Sequence, residues 1–278
     1  MTAATVSAAR PTAQRASSAR LTFGGILRSE WIKFRTLRST VWTVSITVVV
    51  MVGIALMFAA LMSSLLGDAQ AEANGGLLPG VMIVTFGYSF AQLAVAVLGA
   101  LTITGEYSTG MIRSTFSAVP TRVPSLAAKS IVLAVVTFVI SAVGVALSYV
   151  VALPFISGTS LEVDLSADGT LRSLIGVPLY LMAIAVLAIA LGALIRNSAG
   201  TIFSLVALIL VLPSILGALP VEWVQNLAQY LPSAAGEVLI LGDFGGGDLS
   251  PWQGYGVLVA WVAVVWAAAA VVIKRRDA

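Results

Sequence analysis

Charged residues occur only in short stretches of this chain, and between them lie six long apolar segments that contain no Asp, Glu, Lys or Arg. A helix needs about 20 apolar residues to cross the roughly 30 Å hydrocarbon layer of a bilayer, and each segment approaches that length. Hydrophobic residues occupy 59% of the 278 positions and charged residues 10%, which is too apolar for an ordinary soluble fold. The predicted spans are residues 41–62, 80–104, 130–153, 173–195, 199–219 and 253–273.

The fold class predicted from these segments is an all-α polytopic membrane protein, with residues 21–278 forming one transmembrane domain. Residues 1–20 are rich in Ala, Ser, Thr and Arg and have no sustained apolar run. They therefore lack the apolar core of a signal peptide, and we expect a disordered cytoplasmic tail.

The placement of basic residues predicts the orientation. With the N-terminus inside, every Lys and Arg except Arg172 lies in a cytoplasmic part, whereas nine of the 12 acidic residues lie outside. Cytoplasmic loops of membrane proteins carry an excess of Lys and Arg. We therefore expect both termini in the cytoplasm. The net charge of +3 records this orientation and gives no reason to expect a nucleic-acid partner.

The first segment after the tail, residues 22–39, is predicted to be an amphipathic basic helix. Trp31 and Phe34 belong to an apolar series with helical spacing, and Lys33 and Arg35 lie mostly elsewhere on the helix. Such a helix either lies on the inner membrane surface in contact with the bilayer or packs on protein in the cytoplasm.

Residues 220–241 are too interrupted by Pro and Gly to span a membrane, yet they are too apolar for full exposure. The two interpretations that remain open are short re-entrant helices in the outer leaflet and a folded extracellular loop.

The composition excludes many kinds of site. There is no Cys and no His, so thiolate metal sites and the commonest general base are absent. None of the three lysines lies in a Gly-Lys-Ser/Thr sequence, so the chain has no P-loop for ATP. Lys129, the lysine nearest a span, is interpreted as an orientation anchor rather than a catalytic group.

Polar side chains within the spans are few. Gln92 is the most polar of them, and together with Ser89 and the aromatic Phe86 it is the candidate for a substrate path. The alternative is that these side chains bond to backbone or pack between helices. Because the predicted spans contain no charge, we expect the energy for any transport to come from another protein.

The longest predicted cytoplasmic loop begins at Gly105 and ends at Lys129. Glu106 closes the second span, and the pair Thr109-Gly110 begins a short helix that Pro120 ends. The helix contains Met111, Ile112, Arg113 and Phe116.

This loop, the Ser29-Glu30-Trp31-Ile32-Lys33 segment and the six-span layout resemble the membrane subunit of type-2 ABC exporters, particularly small actinobacterial permeases. The resemblance covers essentially the whole chain after residue 21. It implies a location in the bacterial plasma membrane, an amphipathic N-terminal helix, re-entrant helices before the last span, and a coupling helix after the second span.

The resemblance also implies partners. Two permease copies, identical or different, would pair and work with two copies of a separate ATPase subunit, which binds ATP and Mg²⁺, so this chain needs no cofactor. The N-terminal amphipathic helix and the loop after the second span would contact the ATPase, with Met111, Ile112 and Phe116 filling a groove on it. The coupling residues of the loop would be Glu106, Thr109, Gly110, Met111, Ile112, Arg113 and Phe116. Glu106 would bond either the first turn of the loop helix or a basic residue of the N-terminal helix, or would cap the loop helix.

The function expected from this resemblance is export of a hydrophobic or amphipathic compound, such as a drug, antibiotic, lipid or peptide. The chain itself would not be an enzyme. The alternative is a membrane sensor or immunity component that anchors an ATPase without moving a substrate.

Overall fold

The computed structural model describes residues 22–36, 38–65, 80–159, 161–245 and 247–275, and this part of the chain is helical with no β-strand. The predicted disordered tail, residues 1–20, lies outside the described residues. The helices are α1 (Phe23–Thr36), α2 (Arg38–Leu65), α3 (Gly80–Thr85), α4 (Tyr88–Ser108), α5 (Met111–Ala118), α6 (Val123–Ile156), α7 (Thr170–Ile195), α8 (Ser198–Ala218), α9 (Glu222–Ala228), α10 (Pro232–Leu241) and α11 (Pro251–Arg275).

Six helical stretches of the described chain are long and apolar enough to cross a membrane. They are Thr40–Ser64, Gly80–Ser108, Val123–Ile156, Thr170–Ile195, Ser198–Ala218 and Pro251–Arg275. The second stretch consists of α3 and α4, which are separated by a turn at Phe86 and Gly87. The protein is therefore an all-α polytopic membrane protein, as the hydropathy pattern predicts.

The centre of the helix bundle is formed by α4 and α7, which are the most buried of the long helices. They pack along each other, while α2 packs on α6 and α11 packs on α7. The outer helices α2, α8 and α11 bury few of their residues inside the bundle, which suits surfaces that contact lipid. The core thus lies between the second and fourth spans.

The contact between α4 and α7 depends on small residues. A Cβ atom built at Gly99 of α4 would lie 2.7 Å from the carbonyl oxygen of Ala185 and 2.7 Å from the Cβ of Ala188 on α7. No real side chain fits at these distances, so glycine at this position lets the two backbones approach closely.

Two helix boundaries differ from the sequence prediction, and the difference matters for the site. The second spanning stretch continues to Ser108, and α6 begins at Val123 with Pro124 in its first turn. Glu106 and Lys129 therefore lie inside the long helices rather than in a loop, so the expectation that the spanning helices carry no charge is wrong at their ends. Proline is favoured in a first helical turn, where its missing N–H leaves no hydrogen bond unmade.

Residues 220–241 form two short helices, α9 and α10. The carbonyl oxygens at the C-terminal end of α10 are satisfied by α7. Arg172 donates to the carbonyl of Leu239 at 2.6 Å, and the hydroxyl of Ser173 donates to that of Ile240 at 2.5 Å. Arg172, the one basic residue predicted to lie outside, thus has a structural role as a C-terminal cap.

Candidate functional site

Four charged side chains from three helices meet at one end of the bundle. Glu30 and Lys33 come from α1, Glu106 from the last turn of α4, and Lys129 from the second turn of α6. We call these four residues the ion-pair cluster. Glu30, Glu106 and Lys129 are buried, whereas 30% of the Lys33 side chain is exposed.

Each lysine of the ion-pair cluster bridges both carboxylates. The Lys129 ammonium lies 2.7 Å from Oε2 of Glu30 and 2.9 Å from Oε1 of Glu106. The Lys33 ammonium lies 2.9 Å from Oε1 of Glu30 and 3.0 Å from Oε1 of Glu106. Charge-assisted bonds of this kind are stronger than neutral ones, so the cluster holds α1, α4 and α6 in one fixed arrangement.

The cluster also stabilises its own charged state on α1. Burial by itself raises the pKa of Glu30, but the charge and hydrogen bond of Lys129 and those of Lys33 outweigh burial and hold that pKa below its ordinary value. Burial likewise lowers the pKa of Lys33, but its contacts with Glu30 and Glu106 raise that pKa above the ordinary value. Both groups therefore remain ionised at neutral pH.

One sequence-based expectation for the cluster is met and another is incomplete. The bond between Glu106 and a basic residue of the N-terminal helix is present, with Lys33 as the partner. The interpretation of Lys129 as an orientation anchor is incomplete, because its ammonium is buried between two carboxylates. The sequence contained one signal for this cluster, because Glu30 and Lys33 are three residues apart on a helix and can form an ion pair. That spacing did not reveal their partners on other helices, Glu106 and Lys129.

The short helix α5 begins and ends where the sequence predicts. Gly110 precedes it with φ of +72°, a left-handed conformation that glycine adopts without strain, and the helix ends at Ala118, before Val119 and Pro120. Thr109 and Gly110 are exposed in the turn that separates α5 from α4. This geometry lets α5 begin as a separate short helix between α4 and α6.

Two residues expected on the exposed face of α5 are on its buried face. Ile112 and Phe116 were expected to fill a groove on a partner, but both are buried in the core of this chain. Phe116 lies under the guanidinium of Arg122, whose carbon is 5.3 Å from the ring centroid. The apolar spacing on so short a helix identifies an apolar face but not what that face contacts. The exposed residues of α5 are Met111, Arg113, Ser114, Ser117 and Ala118.

The N-terminal helix α1 packs on this chain through Ile26 and Glu30, which are its buried residues. Ile26 contacts Val119 and Ala128 near the start of α6. Phe34 packs against the main core, while Trp31 remains 47% exposed. The helix is thus attached to protein on one side and presents an aromatic residue on another.

Phe86, Ser89 and Gln92, the residues predicted for a substrate path, have different surroundings in the structure. Phe86 is 38% exposed and packs against Phe58, with ring centroids 4.6 Å apart. Gln92 is buried, donates to the carbonyl of Ser89 and accepts a hydrogen bond from the Tyr180 hydroxyl of α7. The alternative interpretation, bonds to backbone and to a neighbouring helix, describes Gln92 correctly.

Glu237 is a carboxylate that the sequence analysis did not select. It lies on α10 beside Gly236, where a Cβ atom would be 2.7 Å from a ring carbon of Tyr180. Burial raises the pKa of Glu237 to about 7. Among the described residues no side chain or backbone group hydrogen-bonds to it, so no protein group offsets the cost of its partial burial.

We expect this carboxylate to make stability fall as pH rises. Its pKa is about 7 in the folded protein against 4.5 for the free group, so the folded state binds more protons between those values. Unfolding measured in detergent from pH 5 to 7.5 should therefore show a loss of about 2 kcal/mol that Glu237→Gln removes. Glu222→Gln, at an exposed carboxylate on α9, is the control. An unchanged slope in Glu237→Gln would contradict the assignment.

Together the fold and the ion-pair cluster define a multi-pass membrane protein whose N-terminal helix is joined to the second and third spans by buried charges. No protein-family model matches this sequence, and no curated protein is significantly similar to it.

Proposed function

We propose that this chain is the membrane-spanning subunit of an ATP-driven exporter, and that a separate cytoplasmic ATPase acts on it through α5. The observation that carries the proposal is the ion-pair cluster. It joins α1 to α4 and α6, the two spanning helices that flank α5. A force applied to this end of the bundle would therefore move α1, α4 and α6 together.

The position of the basic residues in three dimensions supports a cytoplasmic location for this end. Arg122 donates to the carbonyl of Ile273 at 3.2 Å, which brings the end of α11 beside α5. The guanidinium of Arg196, after α7, lies 5.2 Å from the ring of Tyr107 at the end of α4. Basic residues of two connections, Arg122 and Arg196, thus lie at the same end as the C-terminal end of α11, which carries Lys274 and Arg275, and this is the arrangement expected of the cytoplasmic side of a cell membrane.

Local contacts make α5 suitable for transmitting a force. Its inner face, Ile112 and Phe116, is buried in the core, so α5 cannot move independently of the bundle. Lys33 of the cluster also reaches the Thr115 hydroxyl of α5 at 3.5 Å. Packed helices that shift as rigid bodies are a common form of conformational change, and α5, α1 and the cluster would shift together.

The docking surface on α5 is its exposed side. Met111, Ser114 and Ala118 follow one another at steps of three and four residues, so they form one stripe away from the core. Met111 is 42% exposed, and methionine adapts its shape to a partner groove. This stripe replaces the buried Ile112 and Phe116 as the expected contact.

The composition of the chain suggests both the energy source and the kind of compound that is transported. The chain has no P-loop, and its spans have no charge away from their ends, so ATP hydrolysis in the partner would supply the energy. An apolar bundle favours a hydrophobic or amphipathic substrate. Two copies of this chain, or this chain and a related one, would enclose the path with two ATPase subunits.

The proposal predicts that an ATPase gene lies beside this one, and binding to its product is the test. The two proteins are co-expressed, and the amount of ATPase that co-purifies is measured. We expect Met111→Asp combined with Ser114→Asp to lower binding at least roughly tenfold, because hot-spot residues carry most of an interface. The control is Leu165→Asp, an equally exposed apolar residue in the 157–169 loop, which the proposal places on the opposite side of the membrane.

Transport is measured in inverted membrane vesicles with a hydrophobic fluorescent cation as the probe. ATP-dependent uptake that requires both proteins and is lost in the α5 variant would support the proposal. Undiminished ATPase binding by the α5 variant would overturn the docking surface. Binding without ATP-dependent transport of any supplied amphiphile would overturn the exporter and favour a sensor.

A further inference from the structure

The side of α1 that points away from the bundle combines two arginines with two large apolar side chains. Arg28, Trp31 and Arg35 follow one another at steps of three and four residues, so they form one stripe along the helix, and all three are exposed. Ile32, beside this stripe, is 50% exposed. We call these four residues the α1 outer face. The buried residues of α1 lie on the opposite side of the helix.

The contacts of α1 place it at the edge of the hydrocarbon layer. The side that packs on the bundle forms ion pairs with Glu106 and Lys129. Glu106 lies just after the apolar segment 80–104, and Lys129 lies just before the segment 130–153. The spanning part of the next helix, α2, begins at Thr40, shortly after α1 ends. The α1 outer face is therefore at the level of the lipid headgroups.

No residue in the part of the chain that the structure describes neutralises the two arginines. Neither Arg28 nor Arg35 forms an ion pair or a side-chain hydrogen bond there. The one acid of α1, Glu30, lies on the opposite side of the helix and is bonded to two lysines. The guanidinium groups thus direct their N–H donors outward, and guanidinium binds phosphate through paired charge-assisted hydrogen bonds.

The apolar side chains of the α1 outer face suit the same location. Trp31 is 47% exposed, and tryptophan is enriched at membrane interfaces, where its ring lies among the headgroups. Exposed apolar side chains continue into α2, where Val41 is 56% exposed and Trp42 is 70% exposed. This end of the protein therefore presents a surface that contacts a lipid at its headgroup and along its acyl chains. A free phosphate ion would make none of these apolar contacts.

The charge of the α1 outer face selects among phospholipids. Every phospholipid carries a phosphate, but phosphatidylcholine also carries a cationic choline group, which the two arginines repel. A headgroup with a net negative charge has no such cation. Basic residues beside a membrane surface are attracted to anionic lipids for this reason.

We propose that the α1 outer face binds anionic phospholipids, whose phosphates accept hydrogen bonds from Arg28 and Arg35 while Trp31 lies between the headgroups. The site belongs to the isolated chain and needs no ATPase, so its failure and the failure of the proposed function are separate results. Because the ion-pair cluster joins α1 to α4 and α6, a lipid bound here also holds that end of the bundle.

The test uses the full chain in a mild non-ionic detergent, titrated with phosphatidylglycerol or with phosphatidylcholine that has the same acyl chains. Native mass spectrometry measures the fraction of protein with each lipid bound. We expect phosphatidylglycerol to bind roughly 30-fold more tightly, because each of two arginines near an anionic headgroup contributes about a factor of five. Inorganic phosphate added to the buffer should not displace the lipid.

A matched pair of double variants separates this site from the general positive charge of the same end of the bundle. Arg28→Gln with Arg35→Gln should reduce the preference for phosphatidylglycerol to roughly twofold or less. Lys274→Gln with Arg275→Gln removes the same charge from the end of α11 and should keep the wild-type preference. All four positions are exposed, so we expect both proteins to fold, which circular dichroism checks.

Equal binding of the two lipids by the wild type would overturn the proposal without any variant. An unchanged preference in the α1 variant would overturn it as well, and so would an equal loss in both double variants, which would indicate diffuse attraction rather than a site. Displacement of the lipid by inorganic phosphate would show an anion site that does not require a lipid. If the α1 variant keeps its lipid preference but loses binding to the ATPase, the α1 outer face is a protein-docking surface instead.

Discussion

Replacing Lys129 with Met should lower the free energy of unfolding by about 3–5 kcal/mol, the largest effect that we expect from any single substitution in this chain. The variant removes the ammonium that lies 2.7 Å from Glu30 and 2.9 Å from Glu106. Two buried carboxylates then share only Lys33, and the excess negative charge is poorly solvated. Unfolding in mixed detergent micelles, followed by circular dichroism, measures the loss.

Two comparisons show whether the loss comes from the charge. Lys274→Met removes a lysine at the exposed end of α11 and should change stability by less than about 0.5 kcal/mol. Adding Glu106→Gln to Lys129→Met restores neutrality, and we expect it to recover more than half of the loss. A Lys129→Met protein as stable as Lys274→Met would show that the cluster carries little coupling energy.

Replacing Gly99 with Leu should separate α4 from α7 and cost about 3 kcal/mol of unfolding free energy. Even a Cβ atom at this position would lie 2.7 Å from the Ala185 carbonyl oxygen, which cannot move without shifting α7. Because α4 and α7 form the centre of the bundle, the strain would spread to Tyr180 and Gln92, which join the same two helices.

The matched control is Gly53→Leu on α2, where a Cβ atom would meet no atom within 4 Å. That variant should be close to neutral, since glycine lowers helix stability and leucine favours it. Comparable losses at Gly53 and Gly99 would indicate that backbone flexibility, rather than close packing, sets the requirement for glycine.

The ion-pair cluster would serve the proposed function better than it would serve stability alone. Buried ion pairs often contribute little net stability compared with apolar side chains of similar size, because desolvation offsets the attraction. They do specify one arrangement of the groups that form them. In this protein that arrangement fixes α1 against α4 and α6 beside α5, which is the geometry that the proposed connection to an ATPase would use.

The comparison of α5 with α1 shows how far an apolar pattern can be interpreted. The limits of α5 follow from local chemistry, since Gly110 and Pro120 act through their own backbone conformation. Which side of α5 faces the bundle depends on the neighbouring helices, and Phe116 was assigned to the wrong side. In α1, Trp31 is exposed as expected for an interfacial residue, but the buried face is centred on Ile26 and Glu30.

The sequence by itself determined the fold class, the six spanning helices and the separation of charge between the two ends, because each depends on local composition and on the thickness of a bilayer. Only the tertiary structure decided which charges are buried and with what partners. Lys129 meets Glu30 across 99 positions of sequence, and Tyr180 meets Gln92 across 88. Helical periodicity shows that a face is apolar, but not whether protein, lipid or a partner covers it, and that choice depends on how distant helices pack.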